Sequence, residues 1–268
     1  MVRKGLKLII ISLILVFIYI YYQISMFKIN HVRIEEAKLP KEKKIKIVQI
    51  SDYHDNDLIN KKKLLKDIEK LNPDIIVLTG DIIDHKTKNF DNTIFLLKNM
   101  KKINPKIYFV SGNHEKRNEN GEEFIEEISR LGIINFDYKY ELLNINGVNI
   151  NLCGIPYYKG NNQNTEVFND IDKSLFTILL SHSPQKALQY SGLNSDLTLA
   201  GHIHGGQVRF PIIGAIISPE GGFFPKYSKG LYELEDGKLY LDSGLGNSFK
   251  PIRLFNRIQI SYIEIEGK

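Results

Sequence analysis

The chain has 268 residues, 43% hydrophobic and 25% charged, ordinary for a globular protein and enough for one large core or two small ones. Its net charge of +5 fits a lysine-rich solvated surface or attraction to anionic membrane and phosphate-bearing substrate; no nucleic-acid-binding motif accompanies it. The single cysteine, Cys153, excludes an intrachain disulfide and a cysteine-rich zinc site, and its place at the end of an apolar strand marks it as core.

Residues 6–24 read LKLIIISLILVFIYIYYQI, preceded by Arg3 and Lys4. With Met26 and Phe27 this gives roughly 20 residues, about the length that spans a bilayer. Tyr19, Tyr21 and Tyr22 suit an interfacial aromatic belt. No small-x-small site follows the run and no arginine pair precedes it, so residues 1–27 read as an uncleaved signal anchor. Arg3, Lys4 and Lys7 favour an inside N-terminus, against the many lysines after the span. The expectation is a single-pass cell-membrane protein whose main domain lies outside the cytoplasm. Residues 28–43 read as a basic linker able to lie on anionic headgroups, and residues 44–268 as one domain.

From residue 44 strands and helices alternate. Residues 45–50 form a strand that runs into Asp52-x-His54. Residues 58–71 carry apolar side chains at helical spacing, ended by Asn72-Pro73. A second strand, 74–79, leads into Gly80-Asp81-x-x-Asp84. A helix over 92–103 and a strand over 106–111 follow, the strand ending in Gly112-Asn113-His114-Glu115. A helix over 121–131 completes a pattern that implies a largely parallel sheet in an α/β layer architecture. The second half begins with a hairpin over 141–151 around Asn146-Gly147. Strands at 176–180 and 196–200 exit into Ser181-His182 and Gly201-His202-x-His204, and a hairpin over 232–241 and a strand over 257–264 close the sheet. Residues 205–230, rich in glycine and aromatics, read as an ordered lid or pocket wall, a dip toward the bilayer, or an irregular loop packed on the core.

Five of the seven histidines therefore sit in acid, histidine and asparagine clusters, each just beyond the carboxyl end of an apolar strand. That is where α/β sheets collect functional groups. Singly these motifs are weak, since G-D-x-x-D is often a turn and a lone histidine after a strand is usually structural. Jointly, and in this order, they point to two ions bridged by a carboxylate. Oxygen and imidazole donors without thiolate suit Mn, Fe, Zn, Co or Ni.

These five blocks resemble the calcineurin-like metallophosphoesterase superfamily over about residues 44–265. Gly201-His202-Ile203-His204-Gly205-Gly206-Gln207 with Val208-Arg209-Phe210-Pro211, and Gly244-Leu245-Gly246-Asn247-Ser248 with Pro251-Ile252-Arg253, resemble its YkuE/YaeI-like branch of membrane-associated phosphodiesterases. The resemblance implies a four-layer α/β/β/α sandwich of two mixed sheets. It implies that Asp52, His54, Asp81 and His204 hold one divalent metal, and that Asp81, Asn113, His182 and His202 hold the other, with Asp81 bridging. His114 would be the acid or orient phosphate oxygens, Asp84 would support the bridging region from behind, and Glu115 would orient His114 or be exposed. Arg209 and Arg253 are the phosphate-contact candidates, each with a surface ion pair as the plain alternative. His85 reads as a solvated loop residue, and its presence with Lys86 after Asp84, in place of Arg-Gly, argues against a protein serine/threonine phosphatase. Tyr53 stands where leucine or threonine is more usual and could reshape the pocket. The implied activity is hydrolysis of a phosphodiester or pyrophosphate bond, in a lipid-linked or envelope substrate such as a UDP-linked acylated sugar. The rivals are a phosphomonoesterase or nucleotide phosphatase, and a non-catalytic scaffold of the same fold. No protein partner is implied.

Overall fold

The three apolar runs that lead into the first clusters become neighbouring strands. In the computed structural model, which describes residues 2–158, 165–189, 193–218, 222–247 and 252–268, β1 (Lys28–Glu36), β2 (Lys44–Ile50), β3 (Ile75–Thr79), β4 (Ile107–Val110) and β5 (Ile134–Asn135) share a mixed sheet with the last strand of the chain. The helices α1 (Val2–Ser25), α2 (Lys61–Leu71), α3 (Asp91–Ile103), α4 (Asn113–Arg117) and α5 (Gly121–Arg130) fall before and between these strands. A second six-stranded sheet contains β6 (Lys139–Ile145), β7 (Val148–Ile155), β8 (Phe176–Ser181), β9 (Leu197–Ala200) and two later strands, with α6 (Pro184–Gln189) after β8. β10 (Val208–Phe210), β11 (Gly214–Ser218) and β12 (Gly222–Phe223) form a small antiparallel sheet. β13 (Gly230–Leu234) and β14 (Gly237–Leu241) complete the second sheet, and β15 (Gln259–Gly267) completes the first.

Strand orders are β1-β15-β2-β3-β4-β5 and β13-β14-β9-β8-β7-β6. Period-two alternation sends Ile45 and Ile47 of β2 one way, where with Ile75, Val77 and Tyr108 they meet Ile150, Leu152, Ile178 and Leu199 of the second sheet. Val48 and Ile50 point the other way, with Leu78 and Phe109, against Leu64, Ile68, Leu97, Met100 and Phe124 of α2, α3 and α5. Ala187 of α6 packs with Leu179 and the buried Cys153 on the far face of the second sheet. The result is the expected sandwich of two mixed sheets between helices. Both central stretches are parallel, β2-β3-β4 and β7-β8-β9, and they discharge their chains toward one region.

Three local expectations change. Residues 28–43 are not a linker: Lys28–Glu36 pairs in parallel with β15 along its whole length, so β15 lies inside the sheet and β1 forms its edge. Of β1 only Ile34 is fully buried, which explains its polar, basic sequence. The helix expected from residue 58 starts at Lys61, because the Asn60 side chain caps it by accepting from Lys63 N at 2.9 Å. Within residues 205–230 the chain is ordered as β10 to β12 on one side and enters β13 on the other; 219–221 lie outside the described residues, as do Ser248 and Pro251 of the later motif.

Helix α1 is long and apolar enough to cross a membrane, and its side chains from Leu6 to Ile18 are exposed. Its last turn is not: Gln23, Ile24 and Ser25 are buried. Gln23 O accepts from Ile258 N at 3.0 Å, and Asn56 Nδ2 donates to Ile24 O at 3.3 Å.

Candidate metal centre

All seven expected ligand residues gather where β2, β3, β4, β8 and β9 end, and all are buried. The strand-end loops are tied together by their backbones. Asp52 N donates to Gly80 O at 3.0 Å, His54 N to Asp81 O at 3.0 Å, and Gly201 N to His182 O at 3.0 Å. Asp52, His54, Asp81, His202 and His204 all take left-handed backbone angles, with φ of 48°, 49°, 53°, 70° and 50°. A non-glycine residue there costs on the order of 1 kcal/mol or more, so five in one place mark a site whose geometry the fold enforces. The chain must also pass close to the carboxylates. A Cβ on Gly112 would lie 2.1 Å from Asp81 Oδ1, and one on Gly201 would lie 1.7 Å from Ser51 Oγ.

Asp81 is the hub. Its Oδ1 accepts from His114 N at 2.8 Å. Its Oδ2 faces three imidazoles, at 3.1 Å from His182 Nε2, 3.8 Å from His54 Nε2 and 3.9 Å from His114 Nε2. Asp52 accepts from Ser51 Oγ at 2.5 Å and from His202 N at 3.0 Å, and its Oδ1 lies 3.6 Å from His204 Nε2. His182 Nδ1 meets Thr79 O at 2.8 Å, which leaves Nε2 for the site. One donor atom from each of Asp52, His54 and His204 lies within 4.8 Å of the others, and the same holds for Asp81, His182 and His202.

The donor set fits cations. Both ring nitrogens of His54 and Oδ1 of Asn113 are buried yet make no hydrogen bond, although buried polar atoms in folded proteins are nearly always satisfied. Burial pushes His54 down to about 4, so it is held neutral, the form that could bind a cation. Burial opposes a charge on His182 too, but the Asp81 carboxylate outweighs it and lifts the ring to about 10. The buried carboxylates thus demand positive charge at this spot, which a divalent cation would supply.

Several residues take roles that their sequence context did not give. Glu115 is buried, and its carboxylate accepts from Ile82 N at 2.6 Å, Gly112 N at 2.8 Å and Asp81 N at 3.0 Å. It joins the loop carrying Asp81 to the loop carrying Asn113. Nothing in G-N-H-E distinguishes this from an exposed glutamate, because Asp81 N and Ile82 N, two of its three partners, lie more than thirty positions away. Asp84 stands behind the histidines, with Oδ2 3.6 Å from His54 Nδ1 and 3.2 Å from His114 Nδ1. His85 is not simply solvated: its backbone N donates to His114 Nδ1 at 3.0 Å. Burial lowers His114, but the hydrogen bond to Asp84 and the charge of Asp81 prevail and hold its pKa above the ordinary value.

Both arginines expected to grip phosphate make hydrogen bonds within the fold. Arg253 is fully buried, donating Nε to Asn247 Oδ1 at 2.9 Å and Nη2 to Gly246 O at 2.7 Å, with His204 Nδ1 3.3 Å away. It braces the His204 side of the centre. Arg209 directs Nη1 to Gly205 O at 2.8 Å and Ser228 Oγ at 2.9 Å. Tyr53 is buried with the outer core and does not shape the opening. Exposed cations do occur nearby: a cleft of about 350 Å³ beside His85 is lined by Lys86, Lys88 and Arg117.

Comparison with known proteins agrees with this geometry. Residues 45–206 match the family described as calcineurin-like phosphoesterase. A Campylobacter jejuni metallophosphoesterase, Cj0846, is 30% identical over 98% of this chain and 70% of its own length. The metallophosphoesterase YkuE of Bacillus subtilis is 29% identical over 83% of this chain and 79% of its own. Among solved structures, TT1561 of Thermus thermophilus superimposes with a TM-score of 0.50 at 12% identity, over 76% of this chain and 91% of that one, a likeness of fold.

Proposed function

This chain belongs to the calcineurin-like phosphoesterase family, whose members are hydrolases of phosphoester bonds, and from that footing we propose that it is a membrane-anchored hydrolase of a phosphodiester or pyrophosphate bond. The observation that carries the proposal is Asp81 Oδ2 amid His54, His114 and His182, beside a second buried set of Asp52, His54 and His204. In this reading Asp52, His54, Asp81 and His204 hold one divalent cation, and Asp81, Asn113, His182 and His202 hold the other. Two such ions would withdraw charge from phosphoryl oxygens and acidify a water.

The protein's own groups do the rest. His114 turns Nδ1 toward Asp84 Oδ2 at 3.2 Å and Nε2 toward Asp81 Oδ2 at 3.9 Å, so both ring nitrogens face carboxylates. Against the effect of burial, the hydrogen bond to Asp84 and the charge of Asp81 raise its pKa, and in this reading the protonated ring gives a proton to the leaving oxygen. Glu115 fixes the separation of Asp81 from Asn113. The cleft lined by Lys86, Lys88 and Arg117 next to His85 suits the anionic part of a substrate beyond the scissile phosphorus. That favours a diester or pyrophosphate over a simple monoester, and a lipid-linked or envelope molecule is the class matched to the apolar helix.

The anchor reading rests on the exposed apolar length of α1 and on its buried last turn, which fastens it to the domain. Arg3, Lys4 and Lys7 favour the domain lying outside the cytoplasm, and a C-terminal topology reporter tests this. Activity is tested by comparing bis-p-nitrophenyl phosphate with p-nitrophenyl phosphate, with Mn²⁺ and after chelation. Diester turnover lost on chelation and in Asp81→Ala is expected. Preferential monoester turnover would favour the phosphatase reading, and full activity in metal-replete Asp81→Ala would refute the assignment.

A further inference from the structure

The chain leaves the ligand pair His202 and His204 directly into the β10–β11 hairpin, and that hairpin ends in bare apolar side chains. Ile212 at its tip is 107% exposed, and Phe223 on the adjoining strand is 74% exposed. Ile213, Phe224 and Phe210 are exposed as well. Ile212 is held at φ 73° in a tight turn closed by Ile213 N donating to Pro211 O at 2.9 Å. A left-handed β-branched residue is a costly choice, and here it serves to display two isoleucines to the outside.

The apolar surface is continuous with α1. The Phe210 ring lies 6.2 Å from Phe255, and Phe255 lies 5.6 Å from Tyr19 of α1. One turn further along α1, Arg257 donates to the Tyr22 hydroxyl and sits over its ring at 5.2 Å. Tyr19 and Tyr22 are the aromatic end of the apolar helix, the part that belongs at a headgroup interface. Phe255 and Phe210 therefore lie at the same level, with the isoleucine tip beside them. Exposed Lys226, two residues beyond Phe224, adds a cation that suits an anionic surface.

We propose that the β10–β12 hairpin, through Ile212, Ile213, Phe223 and Phe224, inserts into the bilayer leaflet next to α1. This rests on the anchoring proposed above and extends it. The domain then meets the membrane at two points, the helix and the hairpin. The hairpin is rigidly joined to the metal-ligand loop, since Arg209 binds Gly205 O and Val208 pairs with Leu254. The site consequently opens close to the leaflet surface, and its substrate is an amphiphile whose phosphoryl group sits at the headgroup level.

The test uses the full chain in phosphatidylcholine/phosphatidylglycerol vesicles. Cys153 is fully buried, so Ile212→Cys and Leu13→Cys can each be labelled with a polarity-sensitive fluorophore and read with lipid-borne doxyl quenchers. Exposed Glu126→Cys on α5 serves as the unquenched reference. Quenching at both 212 and 13 supports the inference. Quenching at 13 alone overturns the hairpin contact and leaves the anchor standing; a stable dimer in that case would assign the apolar face to a second copy. No quenching at 13 overturns the anchor and this inference with it. In the variant carrying Ile212→Ser, Ile213→Ser, Phe223→Ser and Phe224→Ser, KM for a vesicle-borne phosphodiester should rise by about tenfold or more, with turnover of soluble bis-p-nitrophenyl phosphate unchanged. An equal KM on vesicles would also overturn it.

Discussion

Replacing Glu115 tests whether the centre is held by a carboxylate that never touches substrate. Its two oxygens accept from Asp81 N, Ile82 N and Gly112 N at 3.0, 2.6 and 2.8 Å, with Ile83 N further off at 3.4 Å. Glu115→Ala leaves three buried donors unmet, each costing about 1–3 kcal/mol. Allowing for local relaxation, about 4 kcal/mol of stability should be lost, a large share of the roughly 5–15 kcal/mol that holds a domain folded. Glu115→Gln is the sharper variant. Each carboxylate oxygen faces N–H donors, so whichever way the amide turns, its NH₂ meets another donor. A loss of about 2 kcal/mol is expected even though size and shape are kept. Urea unfolding in detergent gives the stability, and Mn²⁺ titration gives the affinity, which should weaken because Asp81 and Asn113 lose their common brace. If Glu115→Gln unfolds within about 0.5 kcal/mol of the native protein and binds Mn²⁺ unchanged, the carboxylate is not what joins the two loops.

His114→Ala should lower kcat by roughly 10²–10⁴-fold while metal content, read by elemental analysis, stays that of the native protein. Gly112→Ala should abolish activity with the circular dichroism of the sheets retained, because its Cβ would come within 2.1 Å of Asp81 Oδ1. Lys229 donates to Ser243 Oγ at 3.0 Å and Asn256 Oδ1 at 3.2 Å, and burial pushes its pKa from 10.5 down to about 7. The unfolded chain therefore binds the extra proton between these values, and the Lys229 contribution to stability should rise with pH from about 7 to 10, by roughly 2 kcal/mol after solvent screening, against the opposite contribution of His182. Urea unfolding across that window should show the rise vanish in Lys229→Met. Cys153, buried with its thiol pushed up to about 12, should resist maleimide in the folded protein and react only in denaturant.

What the sequence discloses follows from where each residue's partners lie. β2, β3 and β4 are apolar on both faces because each is sandwiched between layers, and such runs stand out. The ligands are legible because a strand followed by a glycine or serine and an acid, amide or histidine is a local pattern repeated five times. β1 is not legible: as an edge strand it buries only Ile34 fully, and its pairing with β15 joins residues some 230 positions apart. Arg253 and Glu115 mislead for the same reason in opposite senses. Each is buried against a distant loop, Glu115 against the one carrying Asp81 and Arg253 against the one carrying His204, so neither the buried arginine nor the buried glutamate differs in sequence from an exposed one. His85 reaches His114 through its backbone N as well as its ring, which no side-chain pattern reveals.

Replacing a flexible tether by β1 also has a mechanical consequence. The helix end is hydrogen-bonded to Ile258 and Asn56, and two residues later the chain is already a strand of the main sheet. Such a domain is joined to its helix without a tether. With α1 in a bilayer it would work as a fixed-height gauge, acting only on bonds presented at one distance from the surface, so that two substrates with identical phosphoryl groups would be told apart by how far each stands out from the lipid.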